Sequence, residues 1–304
     1  MRIYFISFDN AIGDFFNIEL PVIYNLSLKY GNVIYISFKL SNIKKEYIIN
    51  YLKFIEIKFF NDIDVKNNDK ILIWRKNFFK NIKKLKKYNN NIILFRRFYN
   101  INLCKIWKTD KLRQYFLNKY KINRKGESEN KKMICFSLGG NAINRMNLSR
   151  LNYHKLIIKL INTLGFKQYK YGFFGLTEER TNILDNFIKK YNINLIEKGN
   201  MNNLFEKINN YDIMISPSTG FIHMSGLLNK KIIVIYSNNI KIIGNTFFLK
   251  NHKYKKYDYI CYTNNFKNID THLKEIIKWC PFSDEVVFIK NNYLENITKF
   301  VNIL

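Results

Sequence analysis

Four short segments place hydroxyls, glycines and charged side chains where a phosphate-bearing ligand could use them. The most informative is Ser216-Pro217-Ser218-Thr219-Gly220-Phe221-Ile222-His223, which follows the apolar run 213–215 and opens a helical pattern. Ser218 and Thr219 suit the N-cap and first turn of a helix. Gly220 lets a ligand approach the backbone closely. Free N–H groups and the helix dipole at such a start attract an anion. His223 lies about one turn further on, on a face that could reach the same ligand. An ordinary capped helix with a packed histidine is the plainer reading of the same residues.

The second segment is Ser137-Leu138-Gly139-Gly140-Asn141-Ala142-Ile143-Asn144-Arg145. Two glycines after a strand can turn backbone amides inward as an anion-binding nest. Asn141 lies in the same loop, and Arg145 could add a charge-assisted hydrogen bond to a diphosphate. A flexible loop with a solvated Arg is the alternative. The third segment, Phe173-Phe174-Gly175-Leu176-Thr177-Glu178-Glu179-Arg180, ends a strand in a Gly turn and begins a helix with two carboxylates. Glu178 or Glu179 could accept hydrogen bonds from ribose hydroxyls, although acidic residues in a first helical turn are favoured by the dipole in any case. The fourth is Asn10-Ala11-Ile12-Gly13-Asp14-Phe15-Phe16. Asp14 stands at the start of the first helix, where it could cap that helix or act as a general base on an acceptor hydroxyl.

The elements that must position these residues alternate between strand and helix. Residues 3–8 read as a strand, 15–30 as a helix and 32–38 as a second strand, which together make a βαβ unit. Runs at 71–74 and 92–95 continue the sheet. Residues 121–132 are polar with mixed charges and no apolar period, and they read as a linker. The second half repeats the pattern. Strands are expected at 133–137, 171–175, 195–196, 213–215 and 232–236. Helices are expected at 152–164, 178–191, 201–210 and 221–228, with a last helix at about 291–301. The apolar strands imply sheets covered on both faces, and open parallel sheets bind ligands at the carboxyl ends of their strands. The expectation is an α/β chain of two Rossmann-like domains, 1–125 and 126–304, with a cleft between them. The last helix could pack on either domain.

Composition bounds the function. The chain has 304 residues, 47% of them hydrophobic, enough for two cores. Its formal charge of +28 creates a field that draws anionic membranes, phosphorylated saccharides or nucleic acid. Cys104, Cys135, Cys261 and Cys280 show no C-x-x-C spacing and read as buried reduced thiols. The N-terminus is not a signal peptide in pattern, and no apolar run approaches a spanning length. A cytoplasmic protein is expected, and any membrane contact would be peripheral. The basic stretch from Lys76 to Lys87 could meet a phosphorylated lipid-linked acceptor at the inner membrane surface.

In their order along the chain, these segments resemble glycosyltransferase family 9, the ADP-heptose:lipopolysaccharide heptosyltransferases. The resemblance rests on Gly13-Asp14 with Leu20-Pro21 near the N-terminus, and on Ser218-Thr219-Gly220-Phe221-Ile222-His223 in the second half. It implies a GT-B fold and an inverting, metal-independent transfer with no cofactor beyond a nucleotide-sugar donor, ADP-linked in this family. It also implies a lipopolysaccharide-core or similar glycan acceptor. Carried over, Asp14 matches the family's base. Gly139, Gly140, Asn141 and Arg145 fall in the donor-phosphate loop. Glu178 or Glu179 falls at the donor ribose, and Ser218, Thr219, Gly220 and His223 fall at the diphosphate sugar. Three departures stand out. Pro21 lies one residue further from Asp14 than the family pattern has it. Ser218 stands where many members have a carboxylate. Arg145 stands near the place of a lysine. Three further readings remain: a glycosyltransferase using another nucleotide sugar, a catalytically inactive sugar-binding relative, and a basic nucleic-acid-binding protein. The last accounts for the charge but not for the glycine loops, and no zinc-finger or RNP motif accompanies it.

Overall fold

The structure is a computed structural model, and it describes residues 1–7, 13, 15–37, 42–58, 64–73, 92–94, 110–120, 131–140, 142–143, 148–197, 200–217, 219–235, 259–262 and 286–303. Asp14, Asn141, Arg145, Ser218, the basic stretch 76–87 and most of the expected linker fall outside these residues. The packing divides the chain into two units, Met1–Leu112 with Asn200–Asn202, and Arg113–Gly199 with Asn203–Leu304.

The first unit carries strands β1 (Ile3–Ser7), β2 (Val33–Ser37), β3 (Ile55–Ile57), β4 (Lys70–Ile73) and β5 (Ile92–Leu94). They form one parallel sheet in the order β3-β2-β1-β4-β5. β1 is central and apolar on both faces, and Ile3, Tyr4, Phe5 and Ile6 are all buried. Helix α1 (Leu20–Tyr30) connects β1 to β2, and α2 (Asn42–Tyr51) connects β2 to β3. The turn that enters α1, Phe15–Glu19, is wound as a π-helix. Pro21 is the second residue of α1, and its ring nitrogen has no hydrogen to give to a regular helical ladder. At the start of the sheet, Asp69 clasps β1 to β4. Its carboxylate accepts from the Arg2 guanidinium at 2.8 and 3.0 Å, from the Arg2 backbone N–H at 2.7 Å and from the Lys66 N–H at 2.9 Å. Burial alone would push this carboxyl up, but those donors outweigh it and hold it at about 2.

The second unit carries β6 (Lys132–Ser137), β7 (Tyr169–Gly175), β8 (Asn194–Glu197), β9 (Ile213–Pro217), β10 (Lys231–Ile235), β11 (Tyr259–Tyr262) and β12 (Val286–Ile289). Their order is β11-β12-β10-β9-β6-β7-β8. All the pairs are parallel except β11 with β12. In both sheets the chain starts at a middle strand, builds outward to one side, then crosses back to the other. That is the Rossmann order, and the reversal leaves a crevice at the carboxyl ends of the two strands that flank it. In the second unit those strands are β6 and β9.

Helix α3 (Asp110–Lys119) precedes β6, and from Arg113 onward it groups with the second unit. The sequence placed the boundary at 125. The helix is fastened by aromatic packing of Phe116 and Tyr120 on Phe205, at 5.0 and 5.1 Å between ring centroids. The Asn209 amide also donates to the Tyr120 carbonyl. The remaining helices are α4 (Arg150–Leu164), α5 (Asn182–Tyr191), α6 (Met201–Asn209), α7 (Gly220–Leu227) and α8 (Tyr293–Ile303). α5 and α8 each pack on α4, and the three cover the sheet through Ile157, Leu160, Leu184, Ile297, Phe300 and Val301. The last helix therefore covers its own unit. The helix expected over 178–191 is two elements. A 3-10 turn occupies Thr177–Glu179, and α5 begins after its N-cap Thr181. Among the described residues, no helix is long and apolar enough to cross a membrane.

Candidate functional site

The pairing of β7, β6 and β9 brings three of the sequence segments to one end of one sheet. β6 lies beside β7, with Ser137 level with Phe174, and beside β9, with Phe136 level with Ile215. Parallel neighbours sit roughly 4.8 Å apart. The loops that leave Ser137, Gly175 and Pro217 are therefore adjacent, at and beside the crevice.

Leaving β6, Leu138 donates its N–H to the Phe174 carbonyl at 2.8 Å, so pairing with β7 runs one residue beyond the strand. The chain then turns through Gly139 and Gly140, with φ of 91° and 47°. Both values lie in the region that side chains resist. A Cβ on Gly139 would sit 2.4 Å from Ile143 Cγ1. The Gly139 N–H donates to Ser137 Oγ at 3.1 Å, and Ala142 closes the turn by donating to the Gly139 carbonyl at 3.0 Å. Helix α4 starts from a true cap, with Ser149 Oγ accepting from the Asn152 N–H at 3.1 Å. Its buried Tyr153 hydroxyl donates to the Ser137 carbonyl at 2.8 Å and anchors the loop's root.

The two carboxylates of the third segment take different positions. Glu178 is exposed, and its carbonyl accepts from Arg150 Nη1 at 2.9 Å. Glu179 is buried, and its Oε2 accepts from the Leu176 N–H at 2.9 Å. It is wedged between both glycine turns. A Cβ on Gly140 would lie 3.0 Å from Glu179 Oε1, and one on Gly175 would lie 2.7 Å from Oε2. The two turns thus close around one pre-oriented carboxylate at the strand ends.

At the end of β9, buried Ser216 lies with its Oγ 3.0 Å from Thr219 Oγ1. Thr219 is the N-cap of α7 in extended geometry, and its side chain makes no cap bond to the helix. Gly220 is the first helical residue. Phe221 stacks on Phe174 at 4.6 Å and ties this helix start to β7. His223 follows one turn in, and loss of solvent around its ring lowers its pKa to about 3, so it is neutral at pH 7. His154, on α4, is held by a 3.0 Å contact between Nδ1 and Thr181 Oγ1, and burial lowers it to about 4.

The two histidines make stability depend on pH. Both folded values lie below the ordinary 6.5. As pH falls, the unfolded chain takes up these protons first, and stability is lost from about pH 6.5 down to the folded values. The slope should reach up to about 1.4 kcal/mol per pH unit for each histidine. Urea unfolding at pH 7 and pH 5 should show the decline, and His154→Gln should flatten it.

The structure therefore brings together Gly139, Gly140, Glu179, Thr219, Gly220 and His223 at or near the β6 and β9 ends. Gly13 is helical and lies in the other unit, beside Asp14 in sequence. Ser216 and Phe174 shape the site from within the quoted segments, and Tyr153 and Ser149 from outside them. Of the latter two, Ser149 had a readable signal, as a hydroxyl just ahead of an amphipathic helix.

No protein-family model and no curated protein sequence matches this chain, but solved structures do. The E. coli ADP-heptose LPS heptosyltransferase II superposes over 78% of this chain and 85% of its own, with a TM-score of 0.50 and 12% identity. The E. coli heptosyltransferase WaaC with ADP-2-deoxy-2-fluoro heptose matches over 79% of this chain and 90% of its own, with a TM-score of 0.53 and 9% identity. The fold is that of the heptosyltransferases. Within that fold, the glycine turns and the start of α7 occupy the ligand end of the second Rossmann-like unit.

Proposed function

We propose that this protein is a glycosyltransferase that moves a sugar from a nucleoside diphosphate donor onto a glycan hydroxyl, by inversion and without a metal. The observation that carries the reading is the convergence of the Gly139-Gly140 turn, Glu179 and the Thr219-Gly220 helix start at the β6 and β9 carboxyl ends. That is where a doubly wound sheet receives a nucleotide diphosphate. The shared fold favours heptose from ADP-heptose as the transferred group and a lipopolysaccharide core as the acceptor.

In this reading the acceptor oxygen attacks the anomeric carbon while its proton passes to Asp14. The bond from that carbon to the diphosphate oxygen breaks, and the leaving charge is met by fixed donors. These are the amides around Gly139-Gly140 and Gly220, with Asn141, Arg145, Ser218 and Thr219. His223, being neutral, would donate an N–H rather than a full charge. Glu179 is the carboxylate for the ribose hydroxyls, because the Leu176 N–H already orients it beside the phosphate turn. Glu178 points to solvent. The charge of +28 suits a cytoplasmic enzyme that approaches anionic, lipid-linked acceptors at the inner membrane face.

The test is calorimetric binding of ADP, ADP-heptose, and UDP- and GDP-sugars, with Glu178→Gln and Glu179→Gln beside the wild type. An ADP-linked sugar should bind best. Glu179→Gln should weaken it about tenfold, since hydrogen bonds to a charged group contribute about 1.5–3 kcal/mol. Glu178→Gln should stay within about twofold of wild type. A different preferred sugar would move the donor assignment, with Ser218 as the reason. Polyanion binding without nucleotide binding would overturn the enzyme reading in favour of nucleic acid.

A further inference from the structure

Helix α4 is absent from the groups proposed to touch the donor, yet its opening turns hold both loops that do. Arg150 Nη1 donates to the Glu178 carbonyl at 2.9 Å, directly before Glu179. His154 Nδ1 lies 3.0 Å from Thr181 Oγ1, two residues after Glu179. Arg150 and His154 stand four positions apart, so they share one face of the helix. That face brackets the turn bearing the ribose carboxylate from both sides. Tyr153, between them, reaches the other loop. Its hydroxyl donates to the Ser137 carbonyl at 2.8 Å, and its Cε1 would lie 3.3 Å from a Cβ on Gly139.

The Thr181 hydroxyl shows that the tie is not incidental to the start of α5. A threonine at an N-cap ordinarily accepts from the N–H two or three residues on. Thr181 has the extended backbone of an N-cap, but its side chain makes no such bond. It meets instead a wholly buried histidine 27 residues away. Burial keeps that ring neutral at pH 7, and in either tautomer one proton joins the ring to the hydroxyl. The helix start forgoes its own cap, and the chain after Glu179 is fastened to α4. Between the two ties, Glu179 has little room to move. Added Cβ atoms on Gly140 and Gly175 would come within 3.0 and 2.7 Å of its oxygens.

We propose that Arg150, Tyr153 and His154, with Thr181, are positioning residues, which fix the Glu179 turn and the Gly139-Gly140 turn to one rigid helix and so preset the distance between them. The inference rests on the glycosyl-transfer reading and on Glu179 as the ribose ligand. A nucleoside diphosphate spans both turns, so a preset spacing favours it. Holding a site in its bound geometry raises affinity by cutting the ordering cost of binding.

The test compares the nucleoside diphosphate that wild type prefers, ADP in the present reading, with its 2′,3′-dideoxy analogue, which lacks the hydroxyls that Glu179 would accept from. Both are titrated by calorimetry into wild type, Thr181→Val and Thr181→Ser, after thermal melts show folded proteins. Valine has nearly the shape of threonine and suits extended backbone. The lost hydroxyl caps nothing, so α5 keeps its start. Thr181→Val should weaken ADP about fivefold, within the range for one net hydrogen bond, and change the dideoxy analogue by less than about twofold. Thr181→Ser retains the hydroxyl and should bind ADP within about twofold of wild type. Unchanged ADP affinity in Thr181→Val, or equal losses for the two ligands, overturns the inference and leaves the transferase reading intact. So does a wild type that binds the two ligands equally, because Glu179 is then not the ribose ligand. Loss of ADP affinity in Thr181→Ser equal to that in Thr181→Val also overturns it. Wild type that binds no nucleotide overturns both. If Thr181→Val does not fold, His154→Leu removes the same bond from the other side. The same split between the two ligands then supports the proposal, and its absence overturns it.

Discussion

Asp14→Ala should abolish most sugar transfer while leaving donor binding unchanged. General-base catalysis contributes roughly 10²–10⁴-fold, so kcat should fall by that factor. Donor affinity should stay within about twofold, because the groups proposed to hold the nucleotide belong to the other unit: Gly139, Gly140, Glu179 and Thr219 all lie in the second sheet and its loops. A carboxylate that only capped the first helix would behave differently. Losing a cap costs about 1 kcal/mol of stability and would leave kcat within a few-fold of wild type. Steady-state transfer assays paired with calorimetry separate the two. A joint loss of binding and turnover would place Asp14 in the donor site instead. Asp14→Asn sharpens the test, since an amide can still cap a helix but cannot take a proton.

Gly139→Ala should have the opposite signature and remove donor binding. At φ 91° an alanine backbone is strained, by about 1–2 kcal/mol. The added methyl would also meet Ile143 Cγ1 at 2.4 Å and Cδ1 at 2.6 Å, and Tyr153 Cε1 lies 3.3 Å away. Ile143 and Tyr153 are both buried and packed in the core, so neither has room to give way. The turn must open, and the amides proposed to meet the diphosphate move with it. Nucleotide affinity should drop at least about tenfold, with a modest fall in melting temperature. Gly165→Ala is the control. Its φ of 74° carries a similar backbone cost, but nothing lies within 4 Å of the added methyl. It sits at the far end of α4 and should leave affinity unchanged. If Gly139→Ala binds nucleotide as wild type does, the turn is not the phosphate site.

Much of this site could be read before any coordinates, for reasons that differ from residue to residue. Gly139-Gly140 and Thr219-Gly220 announce themselves because glycine and cap residues answer to local backbone geometry, which lies within a few residues of sequence. The strands β6, β7, β9 and β10 were legible as dense apolar runs. β3 was not, since Glu56 interrupts its three residues, and β11 and β12 stand outside the alternation of strand and helix that marked the others, although β4, β5 and β8 are as short. α2 was missed because its core face is interrupted by Lys44 and Lys45. Glu178 and Glu179 looked equivalent as two acids at a helix start. What separates them is the β6–β7 pairing, which closes Gly140 and Gly175 on one carboxylate and not the other. His154 was opaque for the same reason. Its partner Thr181 stands 27 residues away, and nothing near it in sequence marks it as buried.

The place of α8 has a consequence for how the chain comes off the ribosome. Its Ile297, Phe300 and Val301 complete the same apolar cluster as Phe136 on the central strand β6. The second unit therefore cannot close its core until residues some 160 positions beyond β6 have been made, a separation taken from the numbering. The described strands of the first sheet all lie within residues 3–94, so that sheet can form while translation continues. For much of its synthesis the nascent protein carries the described strands of the N-terminal sheet ahead of an open, strongly apolar C-terminal one. Chaperone contacts during synthesis should concentrate on that second half.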